Sequence, residues 1–422
     1  MTLSLARRAE RFPDRTAVVD VSEERLYAPA ETIHESRVSY GELSAMATRT
    51  AEHLSALGVA AGDVVCLVTR NRVASLVVLF ACRRLGAVFA PISHWLTPAT
   101  VTRPFEAIDP DLVVSESAQR DLVRSIPFDR SVTLSELVDA DREDVPDTED
   151  RDRDTDVPLL FLHGDDGRPV AGYTADTLEW NCLSALVSWA LSSDDVAPLT
   201  TPLSSYDGLV RAALPLLYVG GTVLLDRAFD PGDTLTAIDE NAATFLAGRE
   251  TQIAALAAES GFDAAIDSLE RVVLDGAADD EVRAAYRERD ASILRAYGRL
   301  ECPTAFSQSP GSASDETAGE TGDETATGSH VGLPVPDCRA RLVGPDGDVL
   351  EGEAEGDLHL SGPVVADGYV HVAGTDDRTW YRSADEQRTD DETDTDRGRF
   401  ADGWLETDER FSRDADGRYR PQ

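Results

Sequence analysis

Between Tyr40 and Ile92 the spacing of apolar residues changes period twice, and this constrains the fold of the 422-residue chain more than any other feature. Leu43, Met46, Ala47, Leu54 and Leu57 recur at helical spacing, and Gly58 marks the stop. Residues 64–68 are a short, continuous apolar run, the pattern of a buried strand. Asn71 is the expected N-cap of a helix reaching Leu85, with Gly86 ending it, and residues 87–92 form the next strand. Strand, helix and strand with short connections make a βαβ unit, which implies parallel pairing. The alternation returns downstream. Strands are predicted at 159–162, 222–225, 243–246, 272–274 and 293–296, with apolar helical stretches such as 178–191 between several of them. The expected fold class is α/β, with two packed α/β subdomains (1–156 and 157–310) and largely parallel sheets. After Val331 the pattern turns β-rich. Pro345-Asp346-Gly347 is a turn expected to join strands at 339–343 and 357–360, so 331–422 is read as a small β-barrel-like unit.

Charge separates these units. Segment 139–156 is dominated by Asp, Glu and Arg and is expected to be a solvated linker, 311–330 is rich in Gly, Ser, Thr, Asp and Glu and is expected to be a disordered acidic linker, and 383–399 is expected to be an acidic loop. The formal net charge is -40, and all 39 basic residues are arginine. Such a surface repels itself strongly in dilute buffer, and about 1 M salt shortens the Debye length to roughly 3 Å. The composition points to a salty cytoplasm, with a GC-rich genome as the alternative source of the missing lysine. It argues against nucleic acid and anionic membranes as partners. The five cysteines are scattered without metal-ligand spacing, as expected of reduced structural thiols in a cytoplasmic protein. No stretch has the length and apolarity of a signal peptide or a membrane span.

The segment most informative about chemistry runs from Leu159 to Gly172 (LLFLHGDDGRPVAG). It places a glycine turn directly after a buried strand, where converging backbone N–H groups can hold phosphate oxygens. An Asp-Asp-Gly turn alone is also ordinary turn chemistry. The wider pattern is more specific. Gly164, Gly167 and Pro169 fall on the motif Y-T-S-G-T-T-G-x-P-K-G. Tyr40-Gly41-Glu42-Leu43, Gly62-Asp63-Val64-Val65, Pro202-Leu203 through Gly208-Leu209 and Gly220-Gly221-Thr222-Val223 resemble Y-x-E-L, G-D-x-V, P-L-F-H-x-x-G-L and G-G-T-x-V. Residues 295–301 resemble a stretch ending in Y-G-x-T-E, and 400–419 resemble G-W-x-x-T-G-D followed by D-x-D-G-Y. In this order the motifs resemble the AMP-forming acyl-CoA synthetases and adenylation domains, over about residue 10 to the end.

That resemblance implies a two-step reaction. A carboxylic acid attacks the α-phosphate of Mg-ATP to give an acyl-adenylate, and a thiol, usually coenzyme A, then displaces AMP. It implies a phosphate cradle at Gly164, Asp165, Asp166, Gly167 and Arg168. It implies adenine contacts from Gly276, Ala277, Tyr297 and Gly298, Mg²⁺ at Glu301, ribose contacts from Asp408 or Glu409, and an acyl pocket near Tyr206 and Asp207. Trp404 is retained. The departures are concentrated in the cradle. Its hydroxyl and lysine positions hold Leu162, His163, Asp165, Asp166 and Val170. A like-charge pair at about 4 Å costs roughly 4 kcal/mol at an effective dielectric near 20. Asp165 and Asp166 would need to recruit Mg²⁺, or Arg168 would need to supply the missing charge. Leu300 replaces the motif threonine, Ser205 the histidine, and Glu409 the ribose aspartate. The sequence reaches Gln422 before the family's hinge, so its small lysine-bearing domain is expected to be missing. Two readings follow: an acid–thiol ligase impaired alone, whose last domain a partner protein supplies, or a non-catalytic nucleotide-, acyl- or partner-binding module. His94 and His163 are expected to be hydrogen-bonded loop residues rather than bases.

Overall fold

The computed structural model describes residues 3–22, 37–126, 128–143, 145, 157–277, 279–310, 330–372, 378–381 and 399–422. Most of the first acidic segment, and nearly all of the other two, lie outside these residues.

The βαβ unit is present, with Val64–Thr69 and Val88–Ser93 in parallel register around the helix Val73–Leu85. Gly86 ends that helix in the left-handed region at φ 80°, where a glycine costs least. Its start differs from expectation. Arg72 is the N-cap, and no side chain caps the helix. The Asn71 side chain instead accepts from the Leu203 N–H at 2.8 Å and donates to the Thr201 carbonyl. A long-range partner outcompetes the local one. The preceding helix, Tyr40–Ala56, opens with a reciprocal capping box between Ser39 and Glu42.

An eight-stranded sheet is built on this unit. Leu112–Ser115 and Ser131–Thr133 extend it in parallel on one side, and Pro158–His163 on the other. Val170–Thr174 then turns back antiparallel on Pro158–His163, and Gly368–Val372 pairs with Val170–Thr174. A second sheet runs Phe245–Arg249, Arg271–Asp275 and Ser292–Arg299 in parallel, with Cys302–Ser307 returning antiparallel. A third joins distant segments, because Thr16–Asp20 pairs in parallel with Thr222–Leu225. One buried apolar cluster reaches from Leu3 to Tyr419 and ties these layers together.

The C-terminal unit is β-rich as expected, but its topology differs in detail. Pro345-Asp346-Gly347 turns into a short strand, Val349–Leu350, and Arg339–Val343 pairs with both that strand and Ala354–Ser361. The sheet continues through Trp404–Arg413 to Arg399–Ala401. Among the described residues, no pairing between Val349–Leu350 and Arg399–Ala401 closes it into a barrel. All five cysteines are buried, and none forms a disulfide. Among the described residues no helix is long and apolar enough to cross a membrane.

Candidate functional site

The glycine turn is the tip of the hairpin Pro158–His163/Val170–Thr174. Its frame is backbone: Gly164 N–H donates to the Pro169 carbonyl, and Gly167 N–H to the Gly164 carbonyl, both at 2.9 Å. Gly167 lies at φ 97°, and a Cβ there would sit 2.8 Å from Pro104 Cδ and 3.0 Å from the Thr100 carbonyl. The tip is therefore pressed onto the segment that starts the helix Thr102–Ile108. His163 fixes the base of the turn. Its Nε2 accepts from the Ser93 N–H at 3.1 Å, and its Nδ1 lies 2.7 Å from the Gly164 carbonyl. That pairing needs the neutral Nδ1–H tautomer, and burial lowers the histidine pKa in support of it.

The charges on the turn are already matched inside the protein. Asp166 pairs with Arg103, Arg168 pairs with Glu106 at 2.8 Å, and Asp165 lies 3.8 Å from Arg249. Arg168 thus faces the helix Thr102–Ile108. Val170, at the lysine position of the motif, is 1% exposed.

Opposite the turn, the strand Ser292–Arg299 runs parallel to Arg271–Asp275, with Asp275 level with Ala296. This register puts Gly276 and Ala277, both exposed, just past the strand end and level with Tyr297 and Gly298. Gly276 lies at φ 114° and gives its carbonyl to Arg295 Nε at 2.9 Å. The Tyr297 ring packs edge-on against Phe411, centroids 5.0 Å apart, and its hydroxyl donates to Glu409. Burial raises the Tyr297 pKa, and the neighbouring Glu409 charge adds to the rise. Glu409 reaches Tyr297 because the strand Trp404–Arg413 bulges opposite Leu358. Within the bulge Asp408 takes φ 57° and is exposed, while Thr407 Oγ1 donates to the Leu358 carbonyl at 2.8 Å.

Glu301 is 1% exposed. Its Oε2 accepts from Arg299 Nε at 2.6 Å, and its Oε1 from the Tyr369 hydroxyl. Tyr369 pairs with Ala171 of the hairpin, and the Ala366 N–H donates to the Glu301 carbonyl at 2.7 Å. Glu301 is therefore locked to the hairpin that carries the glycine turn. Arg299 also donates to the Thr407 carbonyl at 2.7 Å and lies 3.4 Å from Glu409. Burial alone would lower the Arg299 pKa, but Glu301 more than offsets this and the pKa is raised. Among the described residues no group of three or more His, Cys, Asp or Glu is disposed to hold a metal ion. Each Glu301 oxygen already accepts one hydrogen bond, and a guanidinium stands where the resemblance places Mg²⁺.

Tyr206 and Asp207, the residues expected near an acyl pocket, lead a π-helical stretch, Asp207–Ala213, a distortion often found at functional sites. The Tyr206 hydroxyl donates to the Gly298 carbonyl at 3.2 Å, and Asp207 accepts from Arg249 Nε at 2.6 Å. Arg249 thus links Asp207 to Asp165 on the glycine turn. Beneath them Arg211 is 3% exposed, donates to the Pro303 carbonyl and holds Asp275 at 2.5 Å. Trp404 is covered by the Arg341 guanidinium, 4.1 Å from the ring centroid, and Trp95 is 62% exposed.

The structure thus joins Tyr297, Gly298, Glu301 and Glu409 in one network, with Tyr206, Asp207 and Asp165 linked to it. Sequence reasoning passed over Arg299, Arg249 and Arg211, and gave Tyr369, which falls in the motif order with Gly368, no role at the site. The one available signal was a cation at the free position of Y-G-x-T-E, two residues before Glu301.

Comparison with known proteins identifies the family. The model of the AMP-binding enzyme family matches residues 5–370. Feruloyl-CoA synthase from an Amycolatopsis species is 32% identical over 340 residues, which cover 79% of this chain and 66% of that protein. This chain thus spans just under two thirds of that relative's length. Indoleacetate–CoA ligase from Aromatoleum aromaticum is 28% identical over 85% of this chain and 72% of its own. Among solved structures, o-succinylbenzoate coenzyme A synthetase from Bacillus subtilis in complex with AMP superposes with TM-score 0.78 at 20% identity, covering 99% of this chain and 97% of that one. The N-terminal domain of FACL13 from Mycobacterium tuberculosis gives 0.80 at 17% identity, covering 100% of both chains. The chain belongs to the AMP-binding enzyme family of adenylate-forming ligases.

Proposed function

We propose that this chain keeps the ligand-binding body of an acid–CoA ligase but does not by itself adenylate a carboxylic acid. The glycine turn carries this reading. It retains the tight backbone frame of a phosphate loop, yet it holds Asp165 and Asp166 and lacks the motif's hydroxyls and lysine. Arg168, the cation nearest in sequence, is committed to Glu106. A polyphosphate bound here would meet carboxylates first, and each such approach at about 4 Å costs roughly 4 kcal/mol at a dielectric near 20. Losing one preorganised donor typically costs about 10²–10³ in rate, and several are missing together. The body therefore serves as a binding module for a nucleotide, an acyl group or a partner protein. Pyrophosphate exchange with ATP tests this in about 3 M KCl, where surface repulsion is screened. No exchange is expected with ferulate, indoleacetate, succinylbenzoate or aliphatic acids, and robust exchange with any of them refutes the reading.

A second reading is favoured by the 32% identity to feruloyl-CoA synthase. Here the chain is a CoA ligase for an aromatic carboxylic acid, using ATP and coenzyme A. Thioester formation from ferulate, ATP and coenzyme A would select this reading over the first.

A further inference from the structure

Resting on the binding-module reading, we infer that Arg299 is a tethered cation that occupies the metal position at Glu301 and closes it to divalent ions. In the motif this chain resembles, the carboxylates at Glu301 and Glu409 hold metal and ribose. Here one guanidinium lies between them, with Nε 2.6 Å from Glu301 and one terminal nitrogen 3.4 Å from Glu409. The same terminal nitrogen donates to the Thr407 carbonyl at 2.7 Å, so the fork is held at both ends. The second Glu301 oxygen is taken by the Tyr369 hydroxyl, and the carboxylate is 1% exposed.

A divalent ion needs several oxygen ligands in near-octahedral order and usually keeps some of its waters. Glu301 is 1% exposed, each of its oxygens already accepts a hydrogen bond, and a fixed positive charge stands beside it. Leu300 removes the hydroxyl that the motif threonine would provide next door. Arginine suits the replacement because its planar fork satisfies two acceptors at once and does not deprotonate. Any ligand bound against Tyr297 and Glu409 is then held without a metal bridge.

Mn²⁺ binding followed by electron paramagnetic resonance in about 3 M KCl, which suppresses weak surface sites, tests the inference. Wild type and Glu301→Gln should bind the same number of ions per chain. Arg299→Thr should gain a Mn²⁺ site that Arg299→Thr/Glu301→Gln lacks. An additional Mn²⁺ on wild type relative to Glu301→Gln overturns the inference, as does an Arg299→Thr chain that binds no more than its double variant. Should Arg299→Thr fail to fold, the wild-type comparison decides. An extra wild-type ion without pyrophosphate exchange sinks this inference alone. Exchange with equal ion counts sinks only the binding-module reading.

Discussion

Replacing Arg299 with methionine should be among the most destabilising single changes available at the site. The side chain is 12% exposed and Glu301 only 2%, so the substitution leaves a buried carboxylate without its cation. Breaking a buried pair from one side costs about 3–5 kcal/mol. The lost bond to the Thr407 carbonyl adds about 1 kcal/mol. Glu409 is 44% exposed and regains water, so it contributes little. The expected total is about 5 kcal/mol, a large share of the roughly 5–15 kcal/mol of a typical domain. Removing the charge from both partners, with Arg299→Met/Glu301→Gln, should recover about half of it, because a buried amide costs far less than a buried anion. Urea unfolding at constant KCl, read by tryptophan fluorescence, gives the cycle directly. A single variant less than about 1 kcal/mol below wild type, or a double variant no better than the single, would refute the account of Glu301 as a buried charge held by Arg299.

Two more predictions concern the frame around the site. Glu116 is buried at the carboxyl ends of the parallel strands, where Arg70 meets it at 2.6 Å and Arg72 also pairs with it. Burial pushes its pKa up, but the two arginines more than offset this and hold it at about 2, against an ordinary 4.5. A depressed carboxylate pKa contributes stability that is complete above pH 4.5 and lost as pH falls towards about 2, here about 3 kcal/mol. Urea unfolding of Glu116→Gln should show its full deficit at pH 7 and a shrinking one below pH 4.5, whereas a pH-independent deficit would contradict the assignment. Gly167→Ala should cost about 2–4 kcal/mol, from positive φ plus collision with Pro104 and Thr100. Thermal unfolding checks it, and an unchanged melting temperature would mean the turn is not pressed onto the helix Thr102–Ile108.

The features legible in the sequence are the local ones. Period and punctuation located the strand at 64–69, the helix that Gly86 ends and the strand after it, because each depends on residues within one turn or one hairpin. Motif order located Tyr297, Glu301 and the glycine turn. What escaped was set by partners far along the chain. Asn71 looks like a cap until Thr201 and Leu203 take its amide. The strand Gly368–Val372 joins the sheet against Val170–Thr174 from far along the chain, and nothing in its own pattern says so. Arg299 lies inside its motif, but Tyr369, Thr407 and Glu409, which give it a role, are 70 to 110 residues away.

The absence of lysine bears on chemistry as well as on solubility. A lysine ammonium is a compact, mobile point charge that can follow a moving phosphoryl group, whereas a guanidinium fork is most stable where two acceptors hold it still. Around this site each arginine has found such acceptors. Arg103, Arg168, Arg211, Arg249 and Arg299 are paired with Asp166, Glu106, Asp275, Asp207, Asp165, Glu301 and Glu409, which is five cations against seven carboxylates. The site thus carries two net negative charges before any ligand arrives. A triphosphate must then displace carboxylates from their arginines as well as find room. Converting Asp165 and Asp166 to threonine would remove two of those negative charges and restore hydroxyl donors, yet it would still leave Val170 buried where a lysine belongs. On the binding-module reading, the departures from the phosphate-loop motif are therefore spread over several residues, and no single reversion within the turn undoes them.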